Sequence, residues 1–332
     1  MLKIKNKMMK LKLLAILIIS SFTLINQSYA QSNKTEININ EGTGYFNFYG
    51  GNGHENDTIK VFYNKPKNFK KNSKILLVIP GAGRNADDYR DSWVETSERH
   101  NVLIISPSYT EKDYDYAAYH LGGLAKDLDL RKGVKFIKGT NKVELDENVV
   151  MFNLNTDSSQ WIYHDFDRLF DLVTKEVGSL QETYDAFGHS AGGQILHRFA
   201  LFAPNSKANR ILASNAGSYT LPEFNTAFPF GVKDLSINKK SLKQSFKKHL
   251  VIFLGELDNA NETGGLLLRS PTVDKQGTHR LSRGKYFYKK SHEQAKAKRL
   301  KFDWDLQVIS GVGHNQRKMA KAAAKYLYEG NN

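Results

Sequence analysis

The sequence predicts an α/β fold built on a mostly parallel central sheet, and three observations carry that expectation. From Lys74 onward, short continuous apolar runs of buried-strand type alternate with segments of helical spacing, the pattern of βαβ units. Ahead of them, "YFNFYGG" and "DTIKVFYNKP" flank the turn-rich "NGHEN", which predicts antiparallel N-terminal strands. Polar residues then follow the apolar runs at a few glycine-rich junctions, where an open α/β sheet collects its chemistry.

Taken in order, the chain begins with "MLKIKNKMMKLK", which carries five lysines and no acid, and continues into the apolar "LLAILIISSFTLI". "SYA" closes this segment at Ala30, and small residues at Ser28 and Ala30 fit the cleavage rule for a secretory signal peptide. The apolar run is shorter than the roughly 20 residues a membrane span needs, so export to periplasm or medium without a stable membrane anchor is expected. Residues 31–332 then read as one domain, with no internal repeat and no long linker.

After the antiparallel start, the strand candidates are "KILLVIPG", "VLIISPSY", "TYDAFGHS", "RILASNAG", "HLVIFLGELD" and "WDLQVISGVGH". The helix candidates between them are "ADDYRDSWVETSERHN", "WIYHDFDRLFDLVTKEVG", "GGQILHRFALFAP", "YFYKKSHEQAKAKRLK" and "QRKMAKAAAKYLYEG", enough to cover both faces of a sheet. Two stretches break the alternation, 110–160 and 259–284, and each is long enough to fold over the carboxyl edge of the sheet.

The chain has no cysteine, so neither disulfides nor thiolate chemistry are available and the core alone must hold it together. Without the signal segment the formal charge falls from +14 to +9, from 43 basic and 34 acidic residues. Part of the excess lies in "NKKSLKQSFKKH" and "YKKSHEQAKAKRLK", which read as solvated helix faces, with attraction to an anionic polymer or envelope surface as the alternative. No nucleic-acid partner is expected. Neither HExxH, clustered metal-ligand spacing nor G-x-G-x-x-G occurs, so neither a metal nor a cofactor is expected.

Gly188-His189-Ser190-Ala191-Gly192 matches G-x-S-x-G between a strand candidate and a helix candidate. A turn tight enough to need glycine on both sides lifts the Ser190 hydroxyl clear of the sheet and aims backbone N–H groups at a developing oxyanion. A serine nucleophile needs a histidine base, and that base needs a carboxylate to hold its tautomer. Asp258 stands 68 residues after Ser190 at the end of "HLVIFLGELD", and His314 a further 56 residues on, at the end of the last strand. Glu256 is the rival acid, and its place within the strand suggests a surface or salt-bridge role. His279 is the rival base, in a segment that could fold over the site, whereas His189 should point away from the hydroxyl and His197 sits on the following helix. The loop "IPGAGRNADDY" should supply the second oxyanion donor, Ala82 N–H, beside Ala191 N–H.

"GHSAGG", "VIPGAG", "LGELD" and "GVGH" together resemble the α/β-hydrolase fold superfamily over nearly all of the chain after the signal segment. "ASNAGSYTLP", "LRSPTVDKQGTHRLSRG" and "PGAGRNADDY" are similar to a bacterial branch related loosely to polyhydroxybutyrate depolymerases and feruloyl esterases. The resemblance implies a triad of Ser190, Asp258 and His314 with Ala82 and Ala191 as oxyanion donors, and it fixes no substrate. Pro80 stands where many relatives have histidine, so a contact from that side chain is missing.

Tyr109, Tyr114, Tyr116 and Tyr119 crowd the first excursion, which Trp161 and Tyr163 close; they read either as an aromatic platform for substrate or as ordinary packing. Tyr109, Asn215 and Tyr219 are the substrate-contact candidates, the last two because they follow the strand next to the serine. His279, Arg280 and Arg283 read as a salt-bridge network anchoring their loop or as an anion-binding edge. The expected activity is hydrolysis of small or polymeric carboxylic esters through an acyl-enzyme. Peptidase or acyltransferase chemistry on the same triad, and a non-catalytic secreted binding module, are the alternatives.

Overall fold

The computed structural model describes residues 37–235 and 237–330, so the signal segment expected at 1–30 lies outside the described residues. Eight strands form the central sheet: β1 (Gly42–Tyr49), β2 (Thr58–Lys65), β3 (Ile75–Ile79), β4 (Leu103–Ser108), β5 (Tyr184–His189), β6 (Ala208–Ser214), β7 (His249–Gly255) and β8 (Asp305–Ile309). Their order across the sheet is β1-β2-β4-β3-β5-β6-β7-β8. β1 pairs antiparallel with β2 and β2 antiparallel with β4; from β4 to β8 every pairing is parallel. The mixed α/β architecture with antiparallel N-terminal strands is therefore the one the apolar runs predict.

Every residue of β3 and β5 is buried, as expected of strands covered on both sides, whereas β1 alternates outward and inward positions at the edge. Helices α1 (Ala86–Asp91), α2 (Val94–His100), α3 (Tyr163–Val177), α4 (Ala191–Phe202), α5 (Lys239–Ser245), α6 (Arg280–Ala297) and α7 (Gln316–Ala324) surround the sheet. Leu76, Val78, Phe187 and Phe253 pack with Trp93 and with Met319 and Ala323 of α7 in one core layer. The alternate residues Leu77, Ala186 and Ile252 are equally buried, on the opposite face by the pleat.

Three details differ from the periodicity reading. The helix expected over 86–101 breaks at Ser92 and Trp93, because the Trp93 side chain turns inward onto Phe187, with ring centroids 5.2 Å apart. Helix α6 starts at Arg280 rather than in the tyrosine-rich stretch, because His279 caps it: Ser282 N–H donates to His279 Nδ1 at 3.2 Å. The two excursions also do not stand apart. Strand 267–269 of the second pairs parallel with strand 142–145 of the first, which pairs antiparallel with 134–136, so the two close into one small sheet.

Candidate active site

Ser190 sits between β5 and α4 with φ 60° and ψ −113°, a left-handed backbone that a serine adopts only where its surroundings impose it. Two close approaches impose it here. A Cβ on Gly192 would overlap the carbonyl oxygens of Ile79 and Pro80, and one on Gly193 would overlap the Ser214 carbonyl oxygen. The helix thus lies directly on the ends of β3 and β6, and Ser190 N–H donates to Ser214 O at 2.9 Å.

Asp258 follows β7 and His314 follows β8. His314 Nδ1 lies 2.8 Å from Asp258 Oδ2, with both side chains nearly covered. An ionised carboxylate only accepts, so Nδ1 carries the proton and Nε2 is left free to act as base. Arg280 Nη1 donates to the other carboxylate oxygen at 3.0 Å, and its Nη2 donates to Gly265 O and Leu266 O at 2.9 Å each. The buried Asp258 charge is therefore neutralised by a buried guanidinium.

Ser190 and His314 line the same cleft, of about 360 Å3, together with Ala82, Ala191, Tyr116 and Ser218. Arg84 N–H donates to Gly81 O at 3.1 Å, closing a turn with Ala82 and Gly83 at its tip. Among the described residues Ala82 N–H donates to no backbone carbonyl in the turns and loops, and Ala191 is the first residue of α4, where the leading N–H groups have no partner within the helix. The turn is held from outside: Arg84 Nη1 donates to Tyr109 O at 2.7 Å and Tyr114 O at 2.8 Å, and Tyr119 OH donates to Pro80 O at 2.8 Å. The carbonyl of Pro80 thus anchors this loop.

The rival residues have other tasks. Exposed Glu256 accepts from Ser310 Oγ and Gly311 N–H, capping the turn after β8. His279 caps α6. His197 donates from Nδ1 to Gly193 O at 3.1 Å and accepts at Nε2 from Thr220 N–H at 2.9 Å, a buried neutral ring that braces the serine helix. Burial, with the Arg198 charge beside it, holds its pKa well below the usual histidine range.

The substrate-contact expectations need correction. Tyr109 is buried, with its hydroxyl 3.5 Å from Asp165. Tyr219 is buried against Phe287, with Gln276 bonded to its main chain. Asn215, also buried, joins three elements: its Oδ1 accepts from Gly255 N–H at 2.8 Å, its Nδ2 donates to Gly313 O at 3.1 Å, and its N–H donates to Phe253 O at 3.1 Å. None of the three lines the cleft; Tyr116 and Ser218, near them in sequence, do. The Tyr116 ring stacks on His120 with centroids 4.2 Å apart. Of the basic trio after residue 278, Arg280 and Arg283 are buried in ion pairs and carbonyl bonds, so the anchoring role holds and the anion-binding edge does not.

Two further residues stand beside His314, and the sequence reading singled out only the first of them. The His189 ring packs against the His314 ring, with centroids 4.5 Å apart. Burial, reinforced by His314 and Arg280, pushes its pKa well down, so it is a neutral neighbour of the base. Glu262 receives Gly264 N–H at 2.7 Å and His314 N–H at 2.6 Å, clamping the His314 loop. Burial opposes its ionisation, but those two hydrogen bonds outweigh it and the carboxyl stays below its usual range. A lone acid among asparagines gave no periodic or motif signal.

No family model and no curated protein matches this sequence. Among solved structures, poly(aspartic acid) hydrolase-1 from Sphingomonas sp. KT-1 is 32% identical with TM-score 0.73, the match covering 88% of this chain and 100% of that one. The poly(3-hydroxybutyrate) depolymerase LpqC from Bordetella parapertussis is 24% identical with TM-score 0.73, over 88% of this chain and 91% of that one. The siderophore hydrolase EstA from Aspergillus nidulans shares the fold at 10% identity and TM-score 0.50, over 90% and 99% of the two chains.

Proposed function

This chain is a hydrolase of the α/β-hydrolase superfamily, and on that premise we propose that it is an exported serine hydrolase that cleaves carboxylic esters through Ser190, His314 and Asp258. The observation that carries the proposal is the 2.8 Å contact of His314 Nδ1 with Asp258, with His314 and Ser190 on one cleft wall.

His314 Nε2 takes the Ser190 proton as Oγ attacks the ester carbonyl, and Asp258 stabilises the imidazolium that results. The carbonyl oxygen, now anionic, is received by the N–H groups of Ala82 and Ala191. His314 then returns the proton to the leaving alcohol, and water, activated by the same base, releases the acid from the acyl-enzyme. Amide cleavage by the same steps is the second reading, favoured by the 32% identity to a hydrolase named for poly(aspartic acid). The basic, apolar and small-residue order of 1–30 supports export.

Labelling with a fluorophosphonate probe tests the nucleophile. Folded wild-type protein should be labelled on Ser190, and Ser190→Ala should lose both the label and p-nitrophenyl acetate turnover. Turnover that survives Ser190→Ala rules the mechanism out.

A further inference from the structure

A second cavity, of about 690 Å3, opens beside the cleft and shares with it Ala82, Tyr116, His120, Val143, Leu266 and Leu268. The shared residues place the two spaces side by side at the loop that carries Ala82. Its size falls within the range of about 300–1,000 Å3 usual for pockets that enclose a small molecule.

The lining is apolar and comes from three segments far apart in sequence. The first excursion gives Leu128, Leu130, Phe136 and Phe152; the stretch after β6 gives Leu221 and Phe228; the second excursion gives Leu266 and Leu268. Pairing of strand 267–269 with 142–145 holds two of these segments together, so the small sheet brings their parts of the apolar wall side by side.

The charged groups at this wall balance, three basic against three acidic, and offer a polyanion no net attraction. Arg84 Nη1 donates to the carbonyls of Tyr109 and Tyr114 and Arg198 Nη1 to those of His120 and Gln194, while Arg84 Nε and Arg198 Nη2 are buried without a partner among the described residues. Three carboxylates, Glu111, Glu147 and Glu223, and one lysine, Lys275, stand in the lining beside the two arginines. A chain threaded there would meet mostly apolar surface.

We propose that this cavity holds an extended apolar chain of the substrate, so that the protein acts on esters bearing an alkyl or aryl chain on one side of the scissile bond. The inference rests on the serine-hydrolase reading. Burial of each added methylene raises affinity about fourfold, so kcat/KM should climb by about that factor per methylene until the cavity is full.

The test compares p-nitrophenyl acyl esters from acetate to decanoate, and alkyl acetates of the same span, on wild type, Phe136→Glu, Phe152→Glu and a Leu180→Glu control. Phe136 is 66% exposed, so its replacement is compatible with folding. A rising profile in one series for wild type and Leu180→Glu, flattened in the two lining variants, is the expected result. Flat profiles in both series, or faster cleavage of poly(aspartic acid) than of any ester, overturn it. Calorimetric titration of Ser190→Ala with decanoate separates the cavity from the chemistry: decanoate should bind with a negative heat-capacity change where acetate shows none. Failure of decanoate to bind sinks the cavity assignment while leaving the nucleophile standing; turnover by Ser190→Ala sinks the nucleophile alone.

Discussion

Arg280 donates to Oδ1 of Asp258 at 3.0 Å while His314 holds Oδ2 of the same carboxylate at 2.8 Å, so one buried acid is shared between a fixed cation and an imidazole. The sharing separates two roles. Asp258→Asn presents an amide that cannot reproduce the carboxylate's hold on the His314 tautomer, and kcat should drop by about 10^4-fold with the fold intact. Arg280→Leu leaves a buried charge half-compensated and should cost about 3–5 kcal/mol in urea unfolding. An Arg280→Leu protein as stable as wild type contradicts this assignment.

The serine turn depends on glycine only where backbone meets backbone. Gly192→Ala drives a methyl into the Ile79 carbonyl and should lose about 1–3 kcal/mol or more, with activity falling as Ser190 shifts. Gly83→Ala meets nothing nearer than Asn85 Oδ1 at 3.2 Å and should change stability by less than about 0.5 kcal/mol. Thermal melts of the two variants side by side check the contrast.

Glu262 should act as a positioning residue through the His314 loop. Glu262→Ala removes the acceptor of His314 N–H and should lower kcat/KM on p-nitrophenyl acetate about ten- to hundredfold. Because the folded carboxyl titrates below its ordinary value near 4.3, the clamp is fully present above that value and is lost as pH falls through the folded one. The wild-type acid limb of activity should therefore change shape in Glu262→Ala; superimposable pH profiles speak against the role.

His189 and His197 are buried neutral, with pKa values held well below the usual range. Unfolding lets each take a proton, so stability is complete above about pH 6.5 and declines below it by up to about 1.4 kcal/mol per pH unit for each ring. Urea unfolding from pH 8 to pH 5 should show a break near 6.5. A flat profile across that span would mean the rings are not held neutral.

Asn215 separates a structural from a substrate role by which parameter moves. Asn215→Ala strands the Gly255 N–H and the Gly313 carbonyl and should cost about 1–3 kcal/mol in stability. A variant with unchanged melting temperature and a raised KM would restore the substrate contact.

The sequence by itself determined the sheet and the junctions at which polar residues follow its strands. Period and run length separated buried strands from helices, and Ser190, Asp258 and His314 each follow a run that forms a strand of the central sheet. Glycine at 188 and 192 was legible for the same reason, since close backbone approach leaves no freedom in residue type. Tertiary structure alone decided what surrounds those residues. Tyr109 and Tyr116 are the same residue type in the same excursion, yet one is buried beside Asp165 and the other faces the cleft. Arg280 and Glu262 secure Asp258 and His314 through contacts that no local pattern specifies, and the apolar cavity is assembled from three segments far apart in sequence. Local pattern records which side chains are apolar along one element; the partner each side chain meets depends on pairings between elements remote in sequence, such as 267–269 with 142–145.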